Sequence, residues 1–415
     1  MLPVTQAHQA PRSPGWLRAT RVFGLSSRRE RDAWTSPEAM TATGSSSTVI
    51  DLVLLVNDLS GGTYGNQANR LAVGLASDPR CHTTLLGYGG ERVAWLPAEI
   101  VTEHLGAKRA LSSGPALVRY LLERQPDVLV TRQVHMNLIG VVAAKIARWR
   151  GWRGRHVVGH DHPVALSHRE NKQDNKYLAR LLYPRADLVA AVSPTVAEDA
   201  VHGCGVPPSR VIQVPNVING YEPMPKPDHR WIRDGNPVFL TVARLVAYKG
   251  FDLVIDALRD VDQDARLLIV GRGPAHDDIQ VHIRKRGMED RVELLGFVDE
   301  PRQYMQYSCG FVLASEEEGF SQVLIESMST GCPVISADSH GGGPRFVTDD
   351  GRYGFLVDRG DIPALAVAMN ALLDPATRAD WSARAVERAA AFTPEACATD
   401  MIDQLLARGF DVPTR

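Results

Sequence analysis

From Val49 onward the chain alternates short, β-branched apolar runs with stretches whose apolar residues recur at helical spacing. The first runs are VIDLVLLV (49–56), TTLLGY (83–88), DVLVT (127–131), RHVVGH (155–160) and DLVAAVS (187–193). They are nearly continuous in apolar residues, the pattern of strands covered on both faces in a parallel sheet. After a Pro-rich stretch the rhythm restarts with VFLTVAR (238–244), ARLLIVGRG (265–273), VELLGF (292–297), GFVLAS (310–315) and CPVISAD (332–338). Two successive strand-helix series predict an α/β protein of two Rossmann-like doubly wound domains facing a central cleft. Ligands bind such sheets at the carboxyl ends of their strands.

The predicted boundaries follow from composition. Residues 1–47 are rich in Ser, Pro and Arg without apolar periodicity and read as a disordered tail. A first domain spans 48–218, a linker 219–236 and a second domain 237–392; a C-terminal helix and tail, 393–415, could pack on either domain. No apolar segment follows the early charges, so a secretory signal is not expected, and Met40, shortly before the first strand, is an alternative start.

Composition narrows the class. A length of 415 residues supports sizeable cores, and 44% hydrophobic with 23% charged residues is ordinary for a globular chain. A net charge of −2 gives no broad attraction for nucleic acid. The five cysteines, Cys81, Cys204, Cys309, Cys332 and Cys397, form no CxxC pair, so neither a disulfide framework nor a thiolate metal site is signalled. No run is long enough to span a bilayer. These features predict a cytoplasmic protein.

The chemistry concentrates in the second series. Glu318-Gly319-Phe320-Ser321-Gln322-Val323-Leu324-Ile325-Glu326 follows a strand and opens a helix ending near Gly331. A helix start near Ser321 offers free backbone amides and a positive dipole end, suited to a diphosphate. Glu318 before the helix and Glu326 two turns along it are acceptors for sugar and ribose hydroxyls. Arg244 and Lys249, five residues apart on one strand-to-helix turn, can converge on the same anion; only seven lysines occur in the chain. Alone, that turn could equally be a solvated basic helix start.

Together these patterns resemble the retaining glycosyltransferases of family four, a GT-B group, in which R-x4-K-G, GxGP, G-F/Y-V and E-G-F-x5-E-x-M-x-x-G-x-P-V follow in order. Here they read ARLVAYKG (243–250), VGRGP (270–274), LGFV (295–298) and EGFSQVLIESMSTGCPV (318–334). The resemblance spans about residues 49–408 and implies transfer of a hexosyl or N-acetylhexosaminyl group from a nucleotide diphosphate sugar, UDP-linked, to an acceptor hydroxyl. It implies that Arg244 and Lys249 hold the diphosphate, Glu326 the ribose and Glu318 the transferred sugar. Gly319, Phe320 and Ser321 would offer amides, and Val298 would meet the base through its main chain. Gly61 and Gly62 in SGGTYG (60–65) match the glycine-rich loop, although Tyr64 and Asn66 replace its usual charged residues. His160 in GHDHP (159–163) resembles the histidine beside the anomeric carbon, with His162 the alternative register; no third ligand accompanies them, which disfavours zinc. In GGGPRFV (341–347) Phe346 stands where the family carries a glutamate. Neither a cofactor nor a metal is implied, because cations and a helix terminus already face the diphosphate. Retention would proceed by front-face substitution.

The acceptor is less defined. Residues Lys145–Arg155 hold five cations and two indoles, a mixture that suits either a solvated helix end or peripheral contact with an anionic membrane at its inner face. A lipid-linked glycan or wall polymer is the first expectation and a small secondary-metabolite aglycone, such as an aminocyclitol, the second. A non-catalytic nucleotide-sugar-binding module is the reading from another class. A dinucleotide-dependent oxidoreductase is disfavoured, because neither VGRGP nor SGGTYG completes G-x-G-x-x-G with an acid downstream.

Overall fold

The computed structural model describes residues 49–59, 62–106, 113–163 and 173–410. The N-terminal stretch read as a disordered tail lies outside the described residues, as do Ser60 and Gly61.

The first sheet contains β1 (Ile50–Asp58), β2 (Cys81–Gly89), β3 (Val101–His104), β4 (Val128–Thr131), β5 (Arg155–His160), β6 (Leu188–Ala191) and β7 (Val211–Gln213). The second contains β8 (Val238–Val242), β9 (Arg266–Val270), β10 (Val292–Gly296), β11 (Gly310–Leu313), β12 (Val334–Ala337) and β13 (Phe355–Val357). Their spatial orders are β3-β2-β1-β4-β5-β6-β7 and β10-β9-β8-β11-β12-β13, with every pairing between these strands parallel. Each order runs outward from its first strand in one direction and then the other, which places a switch point beside β1 and β8.

The pleat of β1 shows why its sequence is apolar throughout. Ile50, Leu52, Leu54 and Val56 enter one core, while Val53 and Leu55 enter the core on the opposite face. In β8, Val238 and Leu240 face the interior shared with the first domain, and Phe239 faces the outer helices. The shared core brings Val158, Tyr183 and Val189 together with Phe320, Leu324 and Ile325, so the two sheets are joined by continuous apolar packing.

Cys397, Ala398, Met401, Ile402 and Leu405 of the last helix, Pro394–Leu406, pack beneath β1. The chain therefore returns to the first domain, which settles the open placement of its C-terminal helix. There it crosses the helix Gly62–Ser77 so closely that a Cβ on Gly74 would lie 1.9 Å from the Pro394 carbonyl oxygen. Strand β3, an exposed edge strand of four residues, was not evident from the hydropathy pattern.

Candidate functional site

The carboxyl ends of β8 and β11 converge, and two glycine-dependent turns build the site. Gly250 adopts φ 67°, and its Cα lies so near β11 that a Cβ would be 2.2 Å from the Ala314 carbonyl oxygen. This close approach delivers Lys249 to the loop after β11. There its Nζ lies 2.5 Å from Glu318 Oε1, with both side chains largely buried. Arg244 is exposed, and its Nη2 donates to the Tyr248 hydroxyl at 3.2 Å. Gly271 and Gly273 of VGRGP serve packing: a Cβ on either would strike the main chain of Ala243 or Leu245. They let the loop carrying Arg244 sit against β9.

The loop 316–321 is held by its own backbone. Glu318 N donates to His340 O at 2.8 Å, Gly343 N to Glu318 O at 3.0 Å and Glu316 N to Tyr248 O at 2.8 Å. Ser321, immediately before the helix Gln322–Ser329, has φ 71° and ψ 63°, a left-handed conformation that costs a non-glycine residue about 1–2 kcal/mol. Its buried Oγ has no hydrogen-bond partner. Local strain and an orphaned polar atom thus coincide at the helix N-terminus, where the backbone amides point outward.

The first domain closes onto this loop at several points. Ser193 Oγ donates to Gly319 O at 2.9 Å, and a Cβ on Gly342 would meet Thr195 Oγ1. A Cβ on Gly319 would lie 2.9 Å from His162 Nδ1, so His162 abuts the glycine after Glu318. His162 keeps an exposed surface, but desolvation by the protein packed around it lowers its pKa, against the opposing pull of Asp161 and Glu318. Its neutral imidazole can both donate and accept. His160, by contrast, is turned into the first domain, where Nε2 bonds Asp199 Oδ2 at 2.9 Å and the ring meets Tyr183 edge-on. The structure therefore brings the alternative histidine, and not His160, to the loop after β11. Neighbouring Asp161 is buried; burial pushes its carboxyl up, but Arg132 overcomes this and holds it below its usual value. The second oxygen of Asp161 has no partner.

A third donor does approach His160. Atoms of His160, Asp199 and Cys204 lie within 4.8 Å of one another, within reach of a shared metal ion. Burial pushes the Cys204 thiol up to about 12, so this ligand set would pay a large deprotonation penalty. The His160–Asp199 bond already accounts for the pair.

Glu326 sits farther along the helix. Its Oε1 accepts from Gln322 Nε2 at 3.3 Å and pairs with Arg70 Nη1 of the first domain at 3.4 Å. Arg302 forks onto Glu300 at 2.8 and 2.9 Å beside it. Val298, half-buried after β10, packs against the shared core. Phe320 contributes an amide to the loop but a ring to the core, stacked among Phe346 and Phe392. Phe346 itself lies in that aromatic cluster under Arg388, in a short helix, Gly343–Val347. Of the glycine-rich loop, Gly62 begins a helix and Gly61 lies outside the described residues. Arg70, Ser193, Thr195 and Arg132 were missed as site residues, since each is a single polar residue in an unremarkable local pattern.

The Lys145–Arg155 stretch divides in two. Trp152 is buried with Nε1 donating to Pro126 O, Arg148 is committed to Asp187 and Gly154 O, and Arg155 lies over Phe410. Lys145, Trp149, Arg150 and Arg153 remain exposed, and Trp149 is 84% accessible.

Two parallel sheets around a site of this kind define a GT-B glycosyltransferase, and comparison with known proteins agrees. Residues 226–388 match the family described as Glycosyl transferases group 1, and residues 73–219 that described as Glycosyltransferase Family 4. The chain is 32% identical over 280 residues to the N-acetylgalactosamine-N,N'-diacetylbacillosaminyl-diphospho-undecaprenol 4-alpha-N-acetylgalactosaminyltransferase of Campylobacter jejuni, covering 66% of this chain and 76% of that protein. It is 32% identical over 150 residues to the alpha-D-kanosaminyltransferase of Streptomyces kanamyceticus, covering 35% and 38%. Among solved structures, Anabaena Alr3699/HepE in complex with UDP superposes with a TM-score of 0.68 at 22% identity, over 86% of this chain and 100% of that one. The chain belongs to the glycosyltransferase group 1 and family 4 proteins and has their GT-B fold. Among the described residues no helix is long and apolar enough to cross a membrane.

Proposed function

We propose that this glycosyltransferase moves a hexosyl or N-acetylhexosaminyl group from a UDP-sugar to a hydroxyl of a lipid-linked glycan or wall polymer, with retention and without a metal ion or cofactor. The observation that carries this reading is the convergence of Lys249, Glu318 and the amide-bearing turn at Ser321, with Arg244 exposed beside them. A diphosphate entering here displaces the Lys249–Glu318 ion pair, so that Lys249 and Arg244 face phosphate oxygens and Glu318 is freed for sugar hydroxyls. Glu326 accepts from the ribose and the main chain at Val298 meets the base. Gly62, at the start of the helix after β1, would meet the phosphate from the other domain.

In the reaction the anomeric carbon–oxygen bond breaks and its electron pair passes to the departing diphosphate, where cations and amides stabilise the growing charge. The acceptor oxygen attacks from the same face, and its proton passes to the departing phosphate oxygen. Asp161 is a poor nucleophile for a double displacement because Arg132 holds one of its oxygens. His162 is placed to bond the transferred sugar, and His160 supports it from the interior through Asp199. The C. jejuni relative is named for a diphospho-undecaprenol substrate, which supports a lipid-linked acceptor. The exposed part of Lys145–Arg155 would then give peripheral contact with an anionic membrane at its cytoplasmic face. The kanosaminyltransferase relative favours an aminocyclitol acceptor as the second reading. Incubation with a panel of UDP-sugars and both acceptor classes, with proton NMR of the product, tests donor, acceptor and anomeric configuration together. Absence of turnover with any donor, despite UDP binding, would favour a non-catalytic module.

A further inference from the structure

A second charged concavity lies at the opposite end of the first domain, where the strands begin. It has a volume of about 290 Å³ and is lined by Arg155, Arg185, Arg210 and Arg408 around Phe410. An adjoining concavity of about 280 Å³ shares Arg185 and adds Lys145 and Arg148. Arg155 opens β5, whose other end carries His160; five steps of extended chain separate the two ends by roughly 17 Å. This pocket is thus remote from the donor loop.

Asp187 is the one carboxylate in its lining, and it is already engaged by Arg148 and by the His156 amide at 2.7 Å. None of the four lining arginines forms an ion pair among the described residues. Other arginines of the chain do: Arg80 with Asp78 and Asp403, Arg286 with Asp256, and Arg345 with Asp338 and Asp350. The forks are partly fixed. Arg155 stacks at 4.6 Å from the Phe410 ring centroid, Arg210 reaches Pro184 O at 3.4 Å, and Arg408 donates to Gln404 O at 3.2 Å. Arg185 makes no hydrogen bond among the described residues, which leaves its whole guanidinium available. Burial alone lowers the pKa of Arg408. Four uncompensated guanidiniums around one concavity repel each other, and a bound multivalent anion removes that repulsion while matching their planar donor geometry.

We propose that this pocket binds a phosphate or diphosphate group, free or carried by a lipid headgroup, through Arg155, Arg185, Arg210 and Arg408. The inference does not depend on the donor-site reading. Its test is calorimetric titration of inorganic pyrophosphate, in the presence of saturating UDP, into the wild type, Lys249→Ala and the double variant Arg185→Glu/Arg210→Glu. Both substituted positions of the double variant are exposed, and an unchanged melting temperature verifies its fold. Binding should persist in Lys249→Ala and weaken by at least about tenfold in the double variant. Flotation with phosphatidylglycerol and phosphatidylcholine vesicles separates the sources. Selective recovery with phosphatidylglycerol, lost in the double variant, assigns a headgroup; pyrophosphate binding without vesicle recovery assigns a free phosphate. The proposal is overturned by pyrophosphate binding that the double variant leaves unchanged, or by no binding to either probe. Retained UDP affinity in that case would leave the donor-site reading standing.

Discussion

Arg70 of the first domain and Glu326 of the second approach to 3.4 Å, linking the helix Gly62–Ser77 to the helix Gln322–Ser329. In the proposed donor site a ribose hydroxyl would take Glu326 over from Arg70. Replacement by Ala should raise the UDP dissociation constant by about tenfold or more, the usual cost of a charged hydrogen bond, with little change in melting temperature. Calorimetry with UDP checks this, and unchanged affinity would remove Glu326 from the nucleotide site.

Lys249→Ala and Arg244→Ala should each lower turnover of the UDP-sugar about a hundredfold, because each removes a cation from the departing diphosphate. Their stabilities should differ. Lys249→Ala leaves Glu318 largely buried without its partner and should cost about 1–3 kcal/mol, whereas exposed Arg244 should cost little. Steady-state kinetics with parallel denaturant titrations separates the two effects.

Gly74→Ala tests the return of the C-terminal helix. The added methyl would lie 1.9 Å from the Pro394 carbonyl oxygen, a backbone group that can move only with its helix. A loss of about 3 kcal/mol is expected, seen as a lower urea midpoint, with residual activity lost only in step with unfolding.

Acid sensitivity should trace in part to His156. Burial pushes its pKa down to about 3, so the folded protein keeps it neutral while the unfolded chain protonates it near 6.5. The unfolded state then binds more protons, and stability falls as pH drops from about 6.5 toward 3, by about 1.4 kcal/mol per pH unit at the steepest. Unfolding titrations at pH 7 and pH 5 should show this loss in the wild type and a smaller one in His156→Gln.

Much of this was readable from local pattern. The inner strands β1 and β8 are apolar on both faces, and the sequence from Glu318 to Glu326 carries its own strand-to-helix junction. Edge strand β3 escaped because Val101, Thr102, Glu103 and His104 have little apolar content and are at most half-buried. The choice between His160 and His162 depends on a strand's exit direction, two residues of register that no spacing rule fixes. Arg70, Ser193 and Thr195 act through contacts across the cleft, more than a hundred residues away in sequence, so their neighbours in the chain carry no signal. Trp152 and Trp149 share one local pattern, and only the fold separates them, by setting the Trp152 Nε1 to donate to the Pro126 carbonyl.

The most direct test is titration of UDP into the wild type, Lys249→Ala and Glu326→Ala, followed by mixing the wild type with UDP-sugars to detect released UDP. Saturable binding at one cleft site, weakened in both variants, together with acceptor-dependent UDP release, is the predicted result. UDP affinity equal in all three proteins, or no affinity in the wild type, would contradict the donor site.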